Sequence, residues 1–381
     1  MRLGDIIEIK HGYAFSGDHI IEEDNNVVLV TPGNFRIGGG FQEKKCKFFN
    51  GDLPSDYILN EGDFIVTMTD LSKTIDTLGY SALVPKSGNR IYLHNQRIGL
   101  VHFKNDICDR GYIYWLMRTR DYQRTIANTS TGSTVHHTSP SKIYDYEFET
   151  SDKATQHRIA TTLFCYDSLI ENYQKQIKLL DESAQRLYKE WFVDLRFPGH
   201  ENAQIVDGVP EGWEKANLGT LVKFKRGKTI TKKEVVEGNI PVVAGGLEPA
   251  YYCNKFNTSE RVITISGSGA NAGYTRMYFE KVWASDCSVA DSSMTPYLHF
   301  IFCFLRDNKI LIDNMQKGAA QPHVYAKDIN LMEICIPTEN MLRSFEERTS
   351  KYFDTISSLQ SQIRHLTEAR DRLLPKLMSE K

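Results

Sequence analysis

The sequence lacks any apolar run long enough to cross a bilayer. Its most apolar stretch, Tyr297 to Leu305, is far shorter than the roughly 20 residues that a membrane-spanning helix needs, and it contains His299. No N-terminal stretch combines a basic start, an apolar middle and a small-residue cleavage site. The seven cysteines are scattered and never spaced as C-x-x-C, which is typical of reduced thiols. We therefore expect a cytoplasmic protein with no membrane partner and no metal site.

Motifs that bind catalytic cofactors are also missing. The sequence contains no G-x-x-x-x-G-K-[ST] phosphate loop, no G-x-G-x-x-G and no H-E-x-x-H. It also lacks the Asn/Asp-Pro-Pro-aromatic motif with which amino-methyltransferases hold a flipped base. A complete methyltransferase would need a site for S-adenosylmethionine (AdoMet), and these residues offer none. We expect a non-catalytic chain that holds no cofactor of its own.

One glycine-rich stretch and one basic stretch each allow two interpretations. "SGSGANAG", from Ser266 to Gly273, forms either a tight turn between strands or a run of N–H groups that grips a DNA phosphate. "VKFKRGKTITKK" places Lys225, Arg226 and Lys228 together without an acid. It is either a solvated strand and turn or a surface that faces phosphates. The formal net charge of −2 argues against non-specific coating of nucleic acid but does not exclude such a local surface.

The chain is an internal duplication. The amphipathic segment "NYQKQIKLLDESAQRLYKEWF", from Asn172, is repeated as "SLQSQIRHLTEARDRLLPKLM", from Ser358, at an offset of 186 residues. Upstream, "LGDIIEIKHGYAF", from Leu3, matches "LGTLVKFKRGKTI", from Leu218, at an offset of 215. The first copy therefore holds 29 more residues between the shared start and the shared end, the difference between the two offsets. A duplicated scaffold with diverged middle parts follows from this pattern.

The two amphipathic segments have apolar residues in strict alternation of four and three. This 3.5-residue repeat predicts the seam of a left-handed coiled coil, and the simplest partner for one helix is the other, in antiparallel orientation. Each helical arm of roughly 33 residues would be about 50 Å long. The predicted seam consists of Ile159, Leu163, Tyr166, Ile170, Tyr173, Ile177, Leu180, Leu187, Phe345, Tyr352, Ile356, Leu359, Ile363, Leu366 and Leu373.

The parts before each arm alternate short β-rich runs with turns rich in glycine, proline and asparagine. One helix is predicted at "RGYIYWLMRTRDYQRTIAN" and another at "TPYLHFIFCFLRDNKILIDNM", the latter capped by Thr295. Strands at "YDYEFE" and "NLMEICI" come before the arms. The predicted class is α+β, with two mixed, mostly antiparallel, β-rich domains joined by two long helices in a pseudo-two-fold repeat. Pro198 and Gly199 open a link between the halves that we expect to lack regular structure.

Polar loops recur at the same point of both copies. "STGSTVHHTSPS" contains His137, and His323 has the same place in the second copy. Such side chains, like those of "HNQR" from His94, can donate to and accept from base edges, although a plain surface loop is an open alternative. The candidate DNA contacts are Lys10, Lys73, Asn95, Gln96, Arg97, Thr131, Ser133, His136, Lys225, Arg226, Lys228, Ser266, Ser268, Asn271, Lys317, Gln321 and His323.

The whole chain resembles the specificity subunit of Type I restriction-modification enzymes. The resemblance is carried by "RLYKEWFVDLRFPGHE" from Arg186, "GVPEGWEKANLGTLVKFKRGKT" from Gly208, "TGS" at Thr131 and "KGAAQPHVYAKDINLMEICIP" from Lys317. The "P-x-E-E-Q" start of the family's helices is present here only as "SDKATQ" and "PTENMLRSFEE". The resemblance divides the chain into a first target-recognition domain (1–152), a central helical region (153–205), a second target-recognition domain (206–338) and a C-terminal helical region (339–381).

The resemblance implies a non-catalytic DNA reader. Each recognition domain would read one half of a split site in double-stranded DNA, and the coiled coil would set the spacer. Two methyltransferase subunits and two restriction subunits, the motor nucleases, would dock on the helical regions and use AdoMet, ATP and Mg²⁺. A methylation-only or Type IIB-like system would use the same kind of chain. A coiled-coil protein that binds other proteins and no DNA is the alternative from another class.

Overall fold

The computed structural model describes residues 1–44, 46–86, 88–206, 208–231, 233–318 and 322–379. Gln321, one of the candidate DNA contacts, lies outside these residues. The chain forms two compact units, of which the first contains Met1–Glu171 with Arg364–Lys381 and the second contains Asn172–Ile363. Both arms are therefore shared between the units, and the four-part division of the chain stays a prediction.

The first unit contains short strands and helices followed by the start of a long helix. Its strands are β1 (Ile7–His11), β2 (Ile20–Ile21), β3 (Val27–Val30), β4 (Lys47–Phe49), β5 (Ile58–Leu59), β6 (Phe64–Thr67), β7 (Thr69–Asp70), β8 (Ser81–Leu83), β9 (Ile91–His94), β10 (Ile98–Phe103) and β11 (His136–His137). Its helices are α1 (Arg110–Leu116), α2 (Arg120–Asn128), α3 (Pro140–Tyr144), the first part of α4 (Lys153–Tyr188) and the end of α9 (Glu339–Met378).

The second unit likewise contains short strands and helices followed by the start of a long helix, here α9. Its strands are β12 (Ile205–Val206), β13 (Val209–Pro210), β14 (Glu214–Asn217), β15 (Lys225–Arg226), β16 (Ile240–Val243), β17 (Tyr251–Cys253), β18 (Val262–Ser266), β19 (Thr275–Tyr278), β20 (Trp283–Ala284), β21 (Cys287–Asp291) and β22 (Glu333–Ile336). Its helices are the end of α4, α5 (Leu218–Leu221), α6 (Leu298–Asp307), α7 (Lys309–Asn314), α8 (Ala326–Asn330) and most of α9 (Glu339–Met378).

Corresponding sheets have corresponding strand orders. An antiparallel sheet runs β1-β10-β6-β8 in the first unit and β15-β21-β18-β19 in the second. A second sheet contains one parallel pair in each unit, β3 with β9 and β16 with β20. This sheet has the order β2-β4-β3-β9-β5 in the first unit and β17-β16-β20 in the second, so the longer first copy adds β2 and β5 at its edges. The predicted α+β class with mixed, mostly antiparallel β-rich domains is confirmed.

The long helices α4 and α9 run in opposite directions, as predicted. In the first unit, Asp167 of α4 forms an ion pair with Arg370 near the end of α9. In the second unit, Tyr188 at the end of α4 contacts the ring of Phe345 near the start of α9. Later residues of α4 thus meet earlier residues of α9. The helix α4 continues into a π-helical turn at Lys189–Val193.

The predicted seam residues all lie on covered sides of these helices. Each of them is buried or half-buried, although most of the positions between them hold charged or polar residues. Phe345, Ile356 and Ile177 belong to the apolar core of the second unit or pack against it, together with Trp191 and Phe192. Burial of a large apolar side chain stabilises a fold by about 1.5–3 kcal/mol, so this seam is a major contribution to the stability of each unit.

Three local predictions were wrong. The helix predicted across Arg110 to Asn128 is two helices, since the side chain of Thr119 accepts a hydrogen bond from the N–H of Tyr122 and starts α2 anew. The helix predicted after Thr295 is also two helices, α6 and α7, and it begins two residues later than a Thr295 cap implies; the Thr295 hydroxyl oxygen accepts from the N–H of Tyr297 instead. "YDYEFE" is not a strand and contributes one bridge, Arg2 with Glu147, because the chain turns into a 3-10 helix at Leu3–Asp5.

The link between the copies also has more structure than expected. Strands β12 and β13 form a small hairpin, with Ile205 opposite Pro210 and Val206 opposite Val209. Pro210 can occupy this place because a two-stranded hairpin has only edge strands, where a missing N–H leaves no ladder bond unmade. The proline and glycine residues of the link therefore shape a turn and do not exclude strands.

A buried ion cluster fixes α4 and α9 to the globular part of the first unit. The Asp167 carboxylate accepts from Nη1 of Arg118 at 2.8 Å and from Arg370. The Arg118 side chain is 4% exposed and lies 4.2 Å above the ring of Trp115. Burial by itself would raise the pKa of Asp167, but the charges of Arg118 and Arg370 outweigh it and hold that pKa below its ordinary value. We name Arg118, Asp167 and Arg370 the ionic cluster.

The second unit has apolar residues at the same repeat positions. At the 186-residue offset, Arg118 corresponds to Phe304 and Asp167 to Phe353, while Arg370 corresponds to Ala184. All three are buried in the core of the second unit. The two units therefore secure their helices with different chemistry, ionic in the first and apolar in the second.

Candidate nucleic-acid interface

Four segments of the first unit meet at one edge. The N–H of Met68 donates to the carbonyl oxygen of Arg97 at 2.9 Å. The carbonyl oxygen of Met68 in turn accepts from the N–H of Thr138 at 3.0 Å. Thr131 and His137 exchange two hydrogen bonds of 3.0 and 2.9 Å between their backbones. The N–H of Tyr13 donates to the carbonyl of His94 at 2.9 Å, which adds the segment after β1. We call the residues 13, 68–70, 94–97 and 131–138 the first polar edge.

The second unit has the same hydrogen bonds at corresponding residues. The N–H of Gly267 donates to the backbone carbonyl oxygen of Asp286 at 3.1 Å. The N–H of Val324 donates to the backbone carbonyl oxygen of Gly267, also at 3.1 Å. Lys317 and His323 exchange two bonds of 2.9 Å. The N–H of Lys228 donates to the carbonyl of Ala284 at 2.9 Å. We call the residues 226–228, 266–269, 284–287, 317–318 and 322–324 the second polar edge.

A glycine in each unit permits the close approach of these segments. A Cβ atom on Gly12 would lie 2.2 Å from the carbonyl oxygen of Asn95, and one on Gly227 would lie 2.4 Å from that of Ser285. Neither distance is possible for a real Cβ atom, so only glycine fits where the chain leaving β1 or β15 crosses the turn before β10 or β21. This explains the glycine shared by "HGYAF" and "RGKTI".

The first polar edge presents free side chains to solvent. Gln96 and Arg97 are exposed, and within the described residues their side chains make no hydrogen bond or ion pair. Tyr13 is 46% exposed beside them. Thr131 is exposed and His136 half-buried, and the ring of His137 lies 3.1 Å from the Thr69 hydroxyl. Guanidinium, amide and hydroxyl groups of this kind can form hydrogen bonds with bases and phosphates.

The second polar edge carries a different set of groups. Arg226, Lys228 and Lys317 are exposed cations, and the Lys317 ammonium lies 2.8 Å from the Asp328 carboxylate. The Ser268 hydroxyl donates to the carboxylate of Asp286. Sequence reasoning missed Asp286, although its counterpart in the first unit is the end of the "HNQR" turn and the repeat could have revealed it. It also missed Tyr13, the counterpart of Lys228 at the 215-residue offset.

The glycine-rich stretch from Ser266 to Gly273 is a turn between β18 and β19. The N–H groups of Gly267, Gly269, Ala272 and Gly273 all donate to carbonyl oxygens of the protein. Since these donors are already occupied, a run of N–H groups gripping a phosphate is not available in this conformation. Of the two interpretations, the structure supports the tight turn.

Two predicted contact residues are buried, and these predictions are corrected. Ser266 is 4% exposed, and its hydroxyl donates to the carbonyl of Gly245 at 3.0 Å. Asn95 is 6% exposed, and its side-chain oxygen accepts from the N–H of Arg97 at 3.1 Å. Both side chains thus stabilise the backbone of a polar edge from the protein interior, and they cannot reach DNA without a change of conformation.

Several predicted contacts lie elsewhere on the units. Lys10 and Lys225 are exposed on β1 and β15, and the Lys10 ammonium donates to the carbonyl of Asp56 at 2.8 Å. Ser133 is exposed within the loop before β11. Asn271 is half-buried in the turn after β18. Ser133 belongs to the first polar edge as defined above, whereas Lys10, Lys225 and Asn271 lie outside the residues that define the two edges.

Lys73 lies on an exposed loop that a buried carboxylate holds in place. Asp70 accepts from the N–H groups of Ser72 and Thr77 at 2.6 Å each and from that of Leu78 at 3.1 Å. Burial by itself would raise the pKa of Asp70, but the hydrogen bonds from Thr77 and Ser72 outweigh it and lower that pKa. Because Asp70 also pairs with His136 in the ladder of β7 and β11, this loop borders the first polar edge.

Neither a metal site nor a membrane span emerges from the described ranges. Among these residues, no three His, Cys, Asp or Glu side chains form a group that could hold a metal ion. Within the same ranges, every helix is too short or too polar to cross a bilayer.

Comparison with known proteins identifies the family. The profile of the family described as "Type I restriction modification DNA specificity domain" matches residues 1–181 and 210–367, and each match contains one polar edge. The chain belongs to the Type I restriction-modification specificity subunits. It is a specificity subunit with two recognition domains, and subunits of this kind are non-catalytic. The predicted family is thereby confirmed.

Relatives with known names agree with this assignment. The specificity subunit is 30% identical over 305 residues to the Type I restriction enzyme MjaIX specificity subunit of Methanocaldococcus jannaschii, covering 72% of this chain and 71% of the relative. It is 26% identical over 281 residues to a putative type I specificity subunit of Mycoplasma genitalium, covering 71% and 70%. A crystal structure of the S subunit of a Type I system from M. genitalium has a similar fold, with a TM-score of 0.60 at 18% identity, over 100% of this chain and 96% of that one.

Substitution of Lys225 and Lys228 by alanine tests the basic stretch of this specificity subunit. If both ammonium groups contact phosphates, the slope of log K against log salt should fall by about 0.9 for each, close to 2 in total. The measurement is a titration of duplex DNA with the full chain between about 50 and 200 mM salt. Substitution of Lys351 and Lys376 on α9 is the matched control and should leave the slope unchanged. An unaltered slope in the first variant would place the stretch away from DNA.

Proposed function

We propose that this specificity subunit reads a bipartite site in double-stranded DNA, with one half-site for each specificity domain. The observation that carries the proposal is the repeated hydrogen-bonded frame of the two polar edges. On that frame the first edge presents Gln96 and Arg97, whereas the second presents Asp286, Arg226 and Lys228. Different donors and acceptors on one frame suit recognition of different base pairs by the same docking geometry.

The long helices would set the distance between the half-sites. At ~1.5 Å per residue, a 36-residue helix such as α4 is about 54 Å long and the 40-residue α9 about 60 Å. Half-sites read on one face of B-DNA lie about 34 Å apart, which is within this reach. A rigid spacer suits the role because a flexible link would allow many spacings.

The catalytic steps would belong to other subunits. We infer that two methyltransferase subunits, which use AdoMet, and two restriction subunits, which use ATP and Mg²⁺, dock on the helical regions. We expect the complex to work in the cytoplasm, together with its DNA partner. A methylation-only or Type IIB-like system is the alternative within the binding class, and co-purification of a motor nuclease would separate the two. A coiled-coil protein without a DNA partner would have no use for two polar edges on one frame.

Sequencing of methylated DNA tests the proposal. The full chain is produced with its cognate methyltransferase in a host that lacks adenine methylation at the same sites. The expected result is methylated adenine in one motif of two short specific parts separated by a fixed non-specific spacer. A methyltransferase produced without the chain is the control and should give no such motif. A continuous motif, or methylation independent of the chain, would contradict the proposal.

Exchange of one recognition domain tests its modular nature. Replacing residues 12–150 with the corresponding part of a relative should change one half of the motif completely and leave the other half and the spacer intact. The second polar edge lies wholly outside the exchanged part. The readout is again the motif of methylated DNA. A change in both halves would refute reading by independent domains.

A further inference from the structure

Asp286 is a carboxylate placed among cations on the second polar edge. It lies in the turn between β20 and β21, where its backbone carbonyl accepts from Gly267. One carboxylate oxygen accepts from the Ser268 hydroxyl, and the other lies 3.7 Å from Nη2 of Arg226. The side chain is 37% exposed. Its outer surface therefore remains free for a further hydrogen bond.

Stability does not account for this arrangement. The Arg226 side chain is 75% exposed, and the 3.7 Å separation is long for an ion pair. Exposed pairs of this kind stabilise a protein little, since water screens both charges. The Ser268 hydroxyl instead orients the Asp286 carboxylate, which is how a recognition group is held in one rotamer.

The chemistry of DNA limits what such a carboxylate can contact. A carboxylate only accepts hydrogen bonds, and it is repelled by phosphates, which are acceptors with negative charge. In the major groove the donors are the N4 amino group of cytosine and the N6 amino group of adenine. Adenine presents its N7 acceptor beside N6, which suits an amide such as that of Asn or Gln, whereas Asp and Glu suit cytosine.

The neighbouring guanidinium completes the match to one base pair. A C·G pair presents the N4 donor of cytosine next to the O6 and N7 acceptors of guanine. Arg226 donates two parallel hydrogen bonds where acceptors are arranged in this way. Building on the proposed DNA-reading function, we propose that Asp286 and Arg226 together read one C·G pair, with Asp286 on cytosine N4 and Arg226 on guanine. Asp286 is thus a specificity-determining residue of the second domain.

The substitution Asp286→Asn tests the assignment. Asparagine keeps an acceptor oxygen for cytosine N4 but loses the negative charge, so the preference for cytosine weakens while Arg226 still favours the paired guanine. The full chain is produced with its methyltransferase and the methylated motif is sequenced. The expected result is that discrimination at one C·G position of the second half-site falls by about tenfold or more. The first half-site and the spacer should remain unchanged.

A second variant and a control keep the outcomes distinct. Arg226→Gln should weaken discrimination at the same base pair, on its guanine side. This variant still tests the assignment if Asp286→Asn does not fold. Glu260→Gln changes an exposed acid of the same unit outside the second polar edge and should preserve the motif. An unaltered motif in both test variants, relaxation at two different base pairs, or a wild-type second half-site without a C·G pair would overturn the assignment. A wild-type chain that specifies no bipartite motif would instead refute the proposed function.

Discussion

Replacing Asp167 with asparagine is expected to lower the free energy of unfolding by about 3 kcal/mol, because it leaves the buried guanidinium of Arg118 without a charged partner, whereas Arg370 keeps Asp371. The Arg118 guanidinium would keep its stacking on Trp115 but lose its charged partner. Denaturant unfolding of the full chain measures the change. Hydrogen exchange of α1 and of the end of α9, both in the first unit, should rise more than exchange in the second unit.

The same substitution should change the dependence of stability on pH. The folded-state pKa of Asp167 is held below its ordinary value, so its contribution is fully present above the unfolded pKa of roughly 3.9. That contribution is lost as pH falls through the lower, folded-state pKa. The wild-type chain should therefore lose stability below about pH 4 more steeply than the variant. The check is the difference between the two unfolding free energies measured from pH 6 down to acid.

Glu182→Gln on the same helix is the matched control. Glu182 pairs with Lys178 at 3.8 Å, and both side chains are more than half exposed. Exposed pairs on a helix contribute little, so this variant should unfold like the wild type. Equal loss of stability in the two variants would show that the effect of Asp167 reflects helix charge and not the ionic cluster.

Lengthening both arms by one helical turn is expected to lengthen the spacer of the recognised site without changing its halves. Four residues inserted after Glu171 in α4 and four after Ile363 in α9 would extend each helix by ~6 Å. At 3.4 Å per base pair, the spacer should grow by about one or two base pairs. Both insertion points lie at the boundary between the compact units, so neither core is interrupted. Sequencing of methylated DNA gives the new spacer.

The control for length carries the same four residues outside the arms. An insertion after Gly208, in the turn of the β12–β13 hairpin, should leave the spacer as it is in the wild type. A changed half-site in the lengthened variant would contradict the role of the helices as a spacer. An unchanged spacer with full activity would do so as well.

The repeated features of the fold could be predicted from the sequence. The 186-residue offset and the 3.5-residue periodicity indicated both long helices, since a long periodic pattern is a strong local signal. The ends of short elements could not be predicted in this way. The hydroxyl of Thr119 starts a helix, whereas that of Thr295 forms a local turn, and only the surrounding packing decides between these uses.

The polar edges were predicted in part, for an identifiable reason. Arg97 and His323 stood out because their residue types suit DNA and their loops recur. Asn95 and Ser266 belong to equally suitable types, but hydrogen bonds to backbone atoms turn them inward, and side-chain direction is not encoded in residue type. Asp286 was overlooked because an acid is not expected at a DNA surface when residues are considered one at a time.

The ionic cluster also bears on which helix pairs with which in a cell that contains many copies of the chain. If α4 associated with α4 of another copy in the same antiparallel register, Asp167 would face Ala184, the repeat counterpart of Arg370. A homotypic pair of α9 helices would likewise set Arg370 against Phe353. Each mispairing would remove the Asp167–Arg370 ion pair, so that Asp167 would keep only Arg118 and Arg370 only the more exposed Asp371, which disfavours the homotypic pairs. The ionic cluster thus favours pairing of α4 with α9 over pairing of either helix with a second copy of itself, although the two helices arose from one repeated sequence.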